Sequence, residues 1–210
     1  METYNNKTSP TKLIAIAGGI GSGKSVVSHI LHAMGYDVYD CDSRAKYLMG
    51  ENEQIKKRIF KEISENAICF PYGQDWKTAE IDRPALSDIV FNDAAKLDTL
   101  NKIVHNAIRN DIKHWYQKNA RKSKHLFVET AILYTSGLDT MVDDVWYVTA
   151  PEELRISRAM SRDIASRQKV LARINCQKEE ETILKSKGGF CSIINNDNNQ
   201  PILPQIIRLL

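Results

Sequence analysis

A glycine-rich segment at residues 18–25 has the composition of a phosphate-binding loop. It reads Gly-Gly-Ile-Gly-Ser-Gly-Lys-Ser, which matches the spacing of glycine, any four residues, glycine, lysine, and serine or threonine. In such a loop the glycines let backbone N–H groups approach phosphate oxygens, the lysine bridges the β- and γ-phosphates, and the hydroxyl binds Mg²⁺. We therefore predict a nucleoside triphosphate site whose residues are Gly19, Gly21, Ser22, Gly23, Lys24, Ser25 and Val26.

The segments on either side of this loop are those that a phosphate-binding loop requires. Residues 13–17 form a short, continuous apolar run, which predicts a strand buried on both faces. Residues 24–34 carry apolar side chains at helical spacing, and Gly35 follows where a helix-terminating glycine belongs. Residues 36–40 predict a second strand, so the region forms a strand, loop, helix and strand unit with parallel strands.

Two carboxylates, Asp40 and Asp42, follow the second predicted strand, at the sheet edge where ligands of open α/β folds bind. Next to a triphosphate, a carboxylate either holds Mg²⁺ or accepts a proton from an attacking alcohol. Aspartate is also a preferred cap at the start of a helix, so Asp42 could instead cap the helix predicted from Ser43. Both interpretations of Asp42 are open at this point.

Three arginines share one face of the long charged helix that is predicted after Pro151. Arg155, Arg158 and Arg162 are spaced at i, i+3 and i+7. Such a stripe is usually a solvated surface. Beside a triphosphate it could belong to a mobile lid, which would stabilise transition-state charge and exclude water. We favour the lid and predict catalytic roles for Arg158 and Arg162.

The remaining patterns predict an α/β chain with a parallel sheet of about five strands. Further strands are predicted at residues 125–129, 145–149 and 190–194, and a short closing helix at residues 201–210. Residues 43–118 are mostly helical in pattern, with a break at residues 70–73. A chain of 210 residues allows one core with insertions.

The composition of the chain indicates which binding partners and which cellular compartment to expect. The chain has 29 Lys and Arg against 26 Asp and Glu, and a net charge of +3 is too small to indicate nucleic-acid binding. No run approaches the ~18 apolar residues of a membrane span, and residues 1–11 are polar, unlike a secretory signal. The four cysteines are scattered, which favours reduced thiols in the cytoplasm. We expect no nucleic acid, membrane or obligate protein partner.

Together, residues 18–25, the amphipathic helix after them and the Tyr-Asp-Cys-Asp sequence at 39–42 resemble the dephospho-coenzyme A kinase family. Other segments are similar to that family's substrate-binding insert, lid and adenine-side loop: residues 82–91, 100–105, 158–163, 173–177 and 194–196. The chain departs from the family pattern at Val26, at Asn106 and in residues 128–134. These departures concern the substrate contacts of the loop after the third strand more than the reaction.

The resemblance implies a three-layer α/β fold of the P-loop nucleoside triphosphatase type, with a parallel five-stranded sheet in a single unit. The core would comprise residues 11–45, 100–150 and 188–210. The helical substrate-binding insert would comprise residues 46–99, and the lid residues 151–187.

The resemblance also implies an enzyme that uses ATP and Mg²⁺ to phosphorylate the ribose 3′-hydroxyl of dephospho-coenzyme A. This reaction is the last step of coenzyme A synthesis. Asp42 would be the catalytic base, acting with Lys24, Arg158 and Arg162. The hydroxyl of Ser25 would bind the Mg²⁺ ion.

Arg83 and His105 fall in segments similar to the family's substrate-binding insert, although an exposed arginine at a helix start and a histidine packed in the core are the alternatives. Glu129 is assigned because it ends a predicted strand beside the site, as acidic residues of phosphate-loop enzymes do. Asp40, Arg83 and His105 would contact the substrate. Asn196 would bind on the adenine side of ATP, and Glu129 would bind Mg²⁺ through a water molecule.

Two other functions are compatible with a phosphate-binding loop. Another nucleoside or nucleotide kinase of the same fold would share the loop and differ in the acceptor that it phosphorylates. A nucleotide-hydrolysing switch protein that binds a partner is less favoured, because the guanine-reading sequence Asn-Lys-x-Asp does not occur in this chain.

Overall fold

A five-stranded parallel sheet forms the centre of the first of two compact units in the computed structural model, which describes residues 11–186 and 191–210. The first unit consists of Met1–Tyr39 together with Trp115–Leu210, and the second of Asp40–His114. The insert predicted at residues 46–99 falls within the second unit.

The strands fix where the phosphate-binding loop leaves the sheet. They are β1 Lys12–Ala17, β2 Val38–Asp40, β3 Ile68–Cys69, β4 Glu80–Ile81, β5 His125–Glu129, β6 Asp144–Thr149 and β7 Ser192–Asn195. The large sheet has the order β2-β5-β1-β6-β7, and Ile16 of β1 lies beside Glu129 on one side and Trp146 on the other. The loop therefore follows the central strand, and the predicted parallel five-stranded sheet is confirmed.

The helices alternate with the strands of this sheet or fill the second unit. They are α1 Lys24–Ala33, α2 Cys41–Glu51, α3 Glu53–Glu62, α4 Arg83–Phe91, α5 Ala94–Asn119, α6 Glu152–Asp163, α7 Arg167–Cys176, α8 Lys178–Ser186 and α9 Ile202–Leu209. Short 3₁₀ helices occupy Glu65–Ala67 and Leu138–Thr140. Within the described ranges, no helix has both the length and the apolar character that crossing a membrane requires.

The apolar side chains of β1 are buried on both faces of the sheet, as predicted. One face packs against α1 and α9 in a core that includes Ile14, Ile16, Leu31, Trp146 and Ile206. Burial of a large aliphatic side chain contributes about 1.5–3 kcal/mol. This core fixes the direction in which β1 enters the phosphate-binding loop and α1 leaves it.

The end of α1 agrees with the prediction from Gly35. Met34 is the C-cap, and Gly35 follows with a φ of 89°, a conformation that glycine adopts without steric cost. The strand after it is shorter than predicted, because β2 begins at Val38 rather than at residue 36.

The charged helix predicted after Pro151 is confirmed, although the sequence did not show where it ends. The helix α6 ends at Asp163, and Ile164 adopts a left-handed conformation with a φ of 49°. The helix α7 then starts after Ser166, whose hydroxyl accepts the N–H of Lys169. The two helices pack together through a small buried cluster made of Ile156, Ala159, Val170 and Ile174.

The second unit has its own apolar core, built from α2 to α5 and the β3–β4 hairpin. Cys69 pairs with Glu80 in this antiparallel hairpin, which the sequence did not predict. Phe60, Phe70 and Trp76 pack edge to face, with ring centroids 5.0–6.2 Å apart. The predicted start of a helix near Pro84 is confirmed: the Asp82 side chain accepts the N–H of Ala85 at 2.9 Å, with the proline in the first turn.

Candidate active site

The backbone of the phosphate-binding loop depends on glycine at three positions. Gly18, Gly21 and Gly23 have φ values of 148°, 74° and 98°, which L-residues with side chains rarely adopt. Gly23 is also the N-cap of α1, and it has no side chain with which to bond the first N–H groups of the helix. The positive end of the α1 dipole and these N–H groups form the kind of site that binds anions.

Lys24 lies over this loop. Its ammonium donates hydrogen bonds to the carbonyl of Gly18 at 2.8 Å and to that of Gly19 at 3.4 Å. The side chain is therefore folded back along the loop rather than extended into solvent. A cation held at this place can interact with phosphate groups that the loop N–H groups bind.

Neighbouring elements pack directly against the loop glycines. A Cβ atom on Gly19 would overlap the guanidinium of Arg155, and one on Gly21 would overlap the Arg155 backbone. A Cβ on Gly23 would overlap the side-chain amide of Asn196. The glycines thus serve close packing by α6 and by the segment after β7 as well as the loop conformation.

Asn196 ties the segment after β7 to the loop. It is 9% exposed, its side-chain N–H donates to the Ser22 carbonyl at 2.8 Å, and its backbone N–H donates to Thr149 at 2.8 Å. Arg158 of α6 donates to the Asn196 carbonyl at 2.9 Å and to the Asn198 side chain at 2.7 Å. The structure therefore brings together the loop, Asn196 and Arg158, three features that the sequence placed in one site.

Arg162 has a different environment on the same helix. Its guanidinium is paired with the carboxylate of Asp163 at 2.8 Å, and Arg173 pairs with the same carboxylate at 2.7 Å. The hydrogen bond from Arg162, and then the charges of both arginines, hold the pKa of Asp163 below its usual value. Arg162 is exposed, and any role with a nucleotide would require exchange of this pairing.

Arg155 contacts the loop most closely, although the sequence did not select it. It is 8% exposed, its Nε donates to the Ile20 carbonyl at 3.1 Å, and its Nη1 pairs with Glu181 at 3.0 Å. The sequence held one indirect signal: Arg155 and the small apolar residue Ala159 are four residues apart and share a helix face. The structure buries that face, since Ala159 is 1% exposed.

Two side chains near the start of α8 also contact this region and were not predicted individually. Gln177, the C-cap of α7, accepts the N–H of Ile20 through its side-chain oxygen at 2.8 Å. Glu180 accepts the backbone N–H groups of Tyr134 at 2.9 Å and of Thr135 at 2.7 Å, and it is also bonded by the Thr135 hydroxyl. Both contacts fasten the junction of α7 and α8 to the end of the sheet that carries the loop.

Tyr147 lies beside the last residue of β1, Ala17, in the register of β6. It lines a small cleft with Gly18 and the carboxylates of Glu180 and Glu181. Burial, and next the charge of Glu181, raises the pKa of Tyr147 to about 12. The phenol is therefore neutral at physiological pH.

The second unit begins with the two predicted carboxylates. Asp40 is the N-cap of α2, and its side chain accepts the backbone N–H groups of Asp42 at 2.9 Å and Ser43 at 3.2 Å. The hydroxyl of Ser43 also donates to Asp40 at 2.6 Å. The alternative that Asp42 caps this helix is therefore wrong, because Asp40 is the cap. Asp42 is the second residue of the helix and is exposed.

An ion pair fixes α2 within the second unit. The guanidinium of Arg44 donates to both carboxylate oxygens of Asp111 on α5, each at 2.9 Å. Bidentate pairing of this kind restricts orientation as well as distance. The helix that carries Asp42 is thus held by its cap at one end and by Arg44 one turn later.

The other predicted residues occupy separate elements. Arg83 is the exposed first residue of α4, and His105 is half-buried on α5. Ser25 and Val26 are exposed in the first turn of α1. Glu129 is the half-buried last residue of β5.

Comparison with known proteins assigns this arrangement to a family. A family model for dephospho-CoA kinase matches residues 12–201. A dephospho-CoA kinase of Porphyromonas gingivalis is 33% identical over 201 residues, which cover 94% of this chain and 92% of the relative. A dephospho-CoA kinase of Moorella thermoacetica is 34% identical over 175 residues, with coverage of 82% and 79%.

Solved structures agree with the sequence relatives. A crystal structure of a Thermus thermophilus protein has a TM-score of 0.72 at 29% identity, covering 96% of this chain and 95% of that one. A dephospho-CoA kinase from Campylobacter jejuni has a TM-score of 0.65 at 26% identity, with 94% of each chain covered. The match over nearly the whole sequence confirms the resemblance of the motifs, and the chain belongs to the dephospho-CoA kinase family.

Proposed function

We propose that this chain transfers the γ-phosphate of ATP to the ribose 3′-hydroxyl of dephospho-CoA, giving coenzyme A and ADP. The observation that carries the proposal is the family match over residues 12–201, which includes both the phosphate-binding loop and the Asp40–Asp42 segment. The reaction is the last step of coenzyme A synthesis. Its substrates are small molecules, and the cytoplasmic location and lack of nucleic-acid or obligate protein partners stay predictions.

The nucleotide is bound by the first unit. The loop N–H groups and the N-terminus of α1 bind the phosphate oxygens, and Lys24 neutralises charge on the β- and γ-phosphates. The position of the Lys24 ammonium on the Gly18 carbonyl supports this role, because it already lies along the loop. Asn196, which is bonded to Ser22 of the loop, contacts the nucleotide on the adenine side, and Arg158, which is bonded to Asn196, contacts it at the phosphates.

Arg162 acts when the proposed lid, residues 151–187, closes on the triphosphate. An arginine that reaches the transferring phosphoryl group stabilises the charge that spreads over its oxygens. Closure also excludes water, which would otherwise accept the phosphoryl group in place of the substrate. The exposed pair of Arg162 with Asp163 supports this proposal, since surface ion pairs contribute little and exchange readily.

The residues at the loop also fit a bound Mg²⁺ ion. Ser25, in the first turn of α1, and Glu129, at the end of β5, offer a hydroxyl and a carboxylate, and Mg²⁺ prefers oxygen ligands. We assign the direct contact to Ser25 and the water-mediated contact to Glu129. When bound, Mg²⁺ neutralises charge on the β- and γ-phosphate oxygens.

Asp42 is the general base in the proposed reaction. It accepts the proton of the 3′-hydroxyl while the 3′-oxygen forms its bond to the γ-phosphorus, and the bond from that phosphorus to the β,γ-bridging oxygen breaks to release ADP. Two observations support Asp42 over its neighbour. The Asp40 carboxylate is engaged by the start of α2, and the Asp42 carboxylate is exposed.

The second unit also supplies the proposed substrate contacts. Asp40, Arg83 and His105 bind dephospho-CoA, and the helical insert, residues 46–99, forms most of the surface for it. Arg83 is exposed at the start of its helix, where a guanidinium can pair with a phosphate of the substrate.

A panel of acceptors tests the proposal. Purified protein with ATP and Mg²⁺ should release ADP at least about 100-fold faster with dephospho-CoA than with nucleosides or nucleoside monophosphates, because only the matching acceptor places its hydroxyl in line. The product should be coenzyme A by mass spectrometry. Lys24→Met controls for contaminating kinases and should abolish the signal. Equal rates with the other acceptors, or release without any acceptor, would refute the assignment.

A further inference from the structure

We propose that Arg155 and Gln177 are positioning residues that hold the Ile20 peptide groups of the phosphate-binding loop from two sides. We call this arrangement the Ile20 clamp, made of Arg155, Gln177 and the backbone N–H and C=O of Ile20. The inference rests on the proposed function to the extent that this loop binds the nucleotide. It adds two residues whose role is to position the Ile20 peptide groups.

The first half of the clamp comes from α6. The Nε of Arg155 donates to the Ile20 carbonyl at 3.1 Å, and the rest of the guanidinium packs against Gly19. Its Nη1 pairs with Glu181 of α8 at 3.0 Å, with the arginine side chain 10% exposed and the glutamate 32%. A buried guanidinium with a carboxylate partner on one side and a backbone carbonyl on the other has little freedom to move.

The second half comes from the junction of α7 and α8. Gln177 accepts the Ile20 N–H through its side-chain oxygen at 2.8 Å. Three residues later, Glu180 bonds the backbone of Tyr134 and Thr135 after β5. The start of α8 is thus fixed to the sheet, and this fixes the direction from which Gln177 reaches the loop.

The side chain of Ile20 completes the attachment. It packs against the buried cluster between α6 and α7, which contains Ile156 and Val170. Ile20 is the single non-glycine residue between Gly18 and Ser22, so it is the one position of that stretch with an apolar side chain to pack. Its N–H, its C=O and its side chain are therefore each held by a different group.

The physical consequence is a loop that is ordered before the nucleotide arrives. Glycine-rich segments lose more conformational entropy on ordering than other sequences, and that loss weakens binding if it occurs at the moment of binding. Because the Ile20 N–H is committed to Gln177, phosphate oxygens are left to the N–H groups that follow it in the loop. Loss of the clamp should weaken nucleotide binding without changing the affinity for the acceptor.

Amide hydrogen exchange of Ile20 tests whether the clamp exists in solution. In the intact protein without nucleotide, Gln177→Met should raise the exchange rate of this amide about fivefold or more, since the variant keeps the side-chain length and loses the acceptor. Gln177→Glu keeps an acceptor oxygen and should retain the protection. Equal exchange in the wild type and in Gln177→Met would overturn the proposal.

ADP binding, measured by calorimetry, tests whether the clamp positions the loop. Gln177→Met and Arg155→Met should each raise the Kd for ADP about fivefold to twentyfold. In the double variant the Kd should rise by less than the product of the two single factors, because both side chains act on Ile20. Arg208→Met changes an exposed arginine of α9, outside the loop, the lid and the insert, and should leave the Kd unchanged.

Kinetics separate this inference from the proposed function. In both clamp variants the KM for ATP should rise with that for dephospho-CoA unchanged, whereas a general loss of folding would lower the active fraction and leave both KM values the same. An unchanged Kd for ADP and KM for ATP would overturn the positioning role. A wild-type protein that binds ADP and protects Ile20 but does not phosphorylate dephospho-CoA would refute the function alone.

Discussion

The phosphate-binding loop of the first unit and the start of α2 in the second unit position their functional groups in different ways. The loop is held by side chains that are distant in sequence, since Ile20 is bonded by Arg155 and by Gln177. The start of α2 is held by a neighbour, since Asp40 caps the helix two residues before Asp42. One arrangement depends on tertiary packing and the other on local helix chemistry.

This difference fits the tasks that we propose for the two regions. A loop that binds three phosphates with backbone N–H groups must present several groups at once, and contacts from several elements restrict all of them. A general base is a single carboxylate, and a capped helix end is enough to place its backbone. A substitution at the loop should therefore disturb several phosphate-binding groups at once. A substitution at the start of α2 should change a single functional group.

Asp42→Asn should have the largest effect on activity and the smallest on structure. We expect kcat to fall by about 10²–10⁴-fold, because the amide cannot accept the proton of the 3′-hydroxyl. The KM for ATP and the unfolding free energy should change little, since the Asp42 side chain is exposed and its backbone N–H bond to Asp40 is retained. Steady-state kinetics measure kcat and the KM for ATP, and urea unfolding measures the unfolding free energy.

Asp98→Asn is the matched control for this change. Asp98 is an exposed aspartate of the same unit, 61% exposed at its side chain and paired with Lys102 one turn later. Its substitution should leave kcat within about twofold of the wild type, because exposed pairs of this kind are worth only about 0.3–0.5 kcal/mol. A kcat for Asp42→Asn within threefold of this control would show that Asp42 is not the base.

Gly21→Ala should destabilise the loop by about 2–4 kcal/mol. The residue has a φ of 74°, and an added Cβ would meet the backbone of Arg155, which cannot move aside as a side chain can. Gly35→Ala is the control, because Gly35 has a φ of 89° but no atom within 4 Å of an added Cβ. Gly35→Ala should lose about 1 kcal/mol of unfolding free energy, which is the cost of placing an alanine at a positive φ.

Urea unfolding of the two glycine variants isolates the contact between the loop and α6. The difference between their unfolding free energies measures that contact, because both carry a similar cost of positive φ. If the two variants lose the same unfolding free energy, α6 moves away from the added Cβ without destabilising the protein. The loop would then be less constrained than the Ile20 clamp implies.

Much of the fold was predictable, because its signals are local. The apolar run of β1 and the pattern of β5 gave strands close to the observed Lys12–Ala17 and His125–Glu129. Gly35 marked the end of α1. The β3–β4 hairpin was missed because strands of two residues have no measurable period, and the break at Ile164 was missed because neither glycine nor proline marks it.

The site was predictable only where its residues are consecutive. The loop has a fixed spacing, whereas Arg155 and Gln177 bond Ile20 across 135 and 157 positions of the chain. Hydrogen bonds from side chains to a distant backbone leave no pattern in one sequence. The start of α2 was predicted at Ser43, two residues late, because either aspartate can cap a helix and propensity alone does not set the boundary.

Tyr147→Phe tests the electrostatics of the first unit near the loop. Burial raises the pKa of Tyr147 from 10.0 to about 12, so the folded protein favours the neutral phenol. This contribution to stability is complete below pH 10 and is lost as the pH rises through 12. We expect the wild type to lose about 1–2 kcal/mol more than Tyr147→Phe between pH 9 and 12, measured by urea unfolding. If the unfolding free energies of the wild type and Tyr147→Phe change with pH in the same way, the phenol is solvated in the folded state as well as in the unfolded state.

Substitutions of Asp40 should have the smallest effect on stability, and they separate helix capping from substrate binding in the second unit. Asp40→Ala should lose about 1 kcal/mol of unfolding free energy, because the N–H groups of Asp42 and Ser43 lose their acceptor. Asp40→Ser keeps a capping oxygen and should lose less than about 0.5 kcal/mol. Urea unfolding followed by circular dichroism compares the two variants.

Activity then separates capping from substrate binding at this residue. If Asp40 contacts dephospho-CoA as proposed, both variants raise the KM for that substrate, because both lack the carboxylate, although Asp40→Ala is destabilised more than Asp40→Ser. Full activity in Asp40→Ser would show that Asp40 acts only as the helix cap. The start of α2 would then contribute one functional carboxylate, Asp42, and the local arrangement would serve solely to present it.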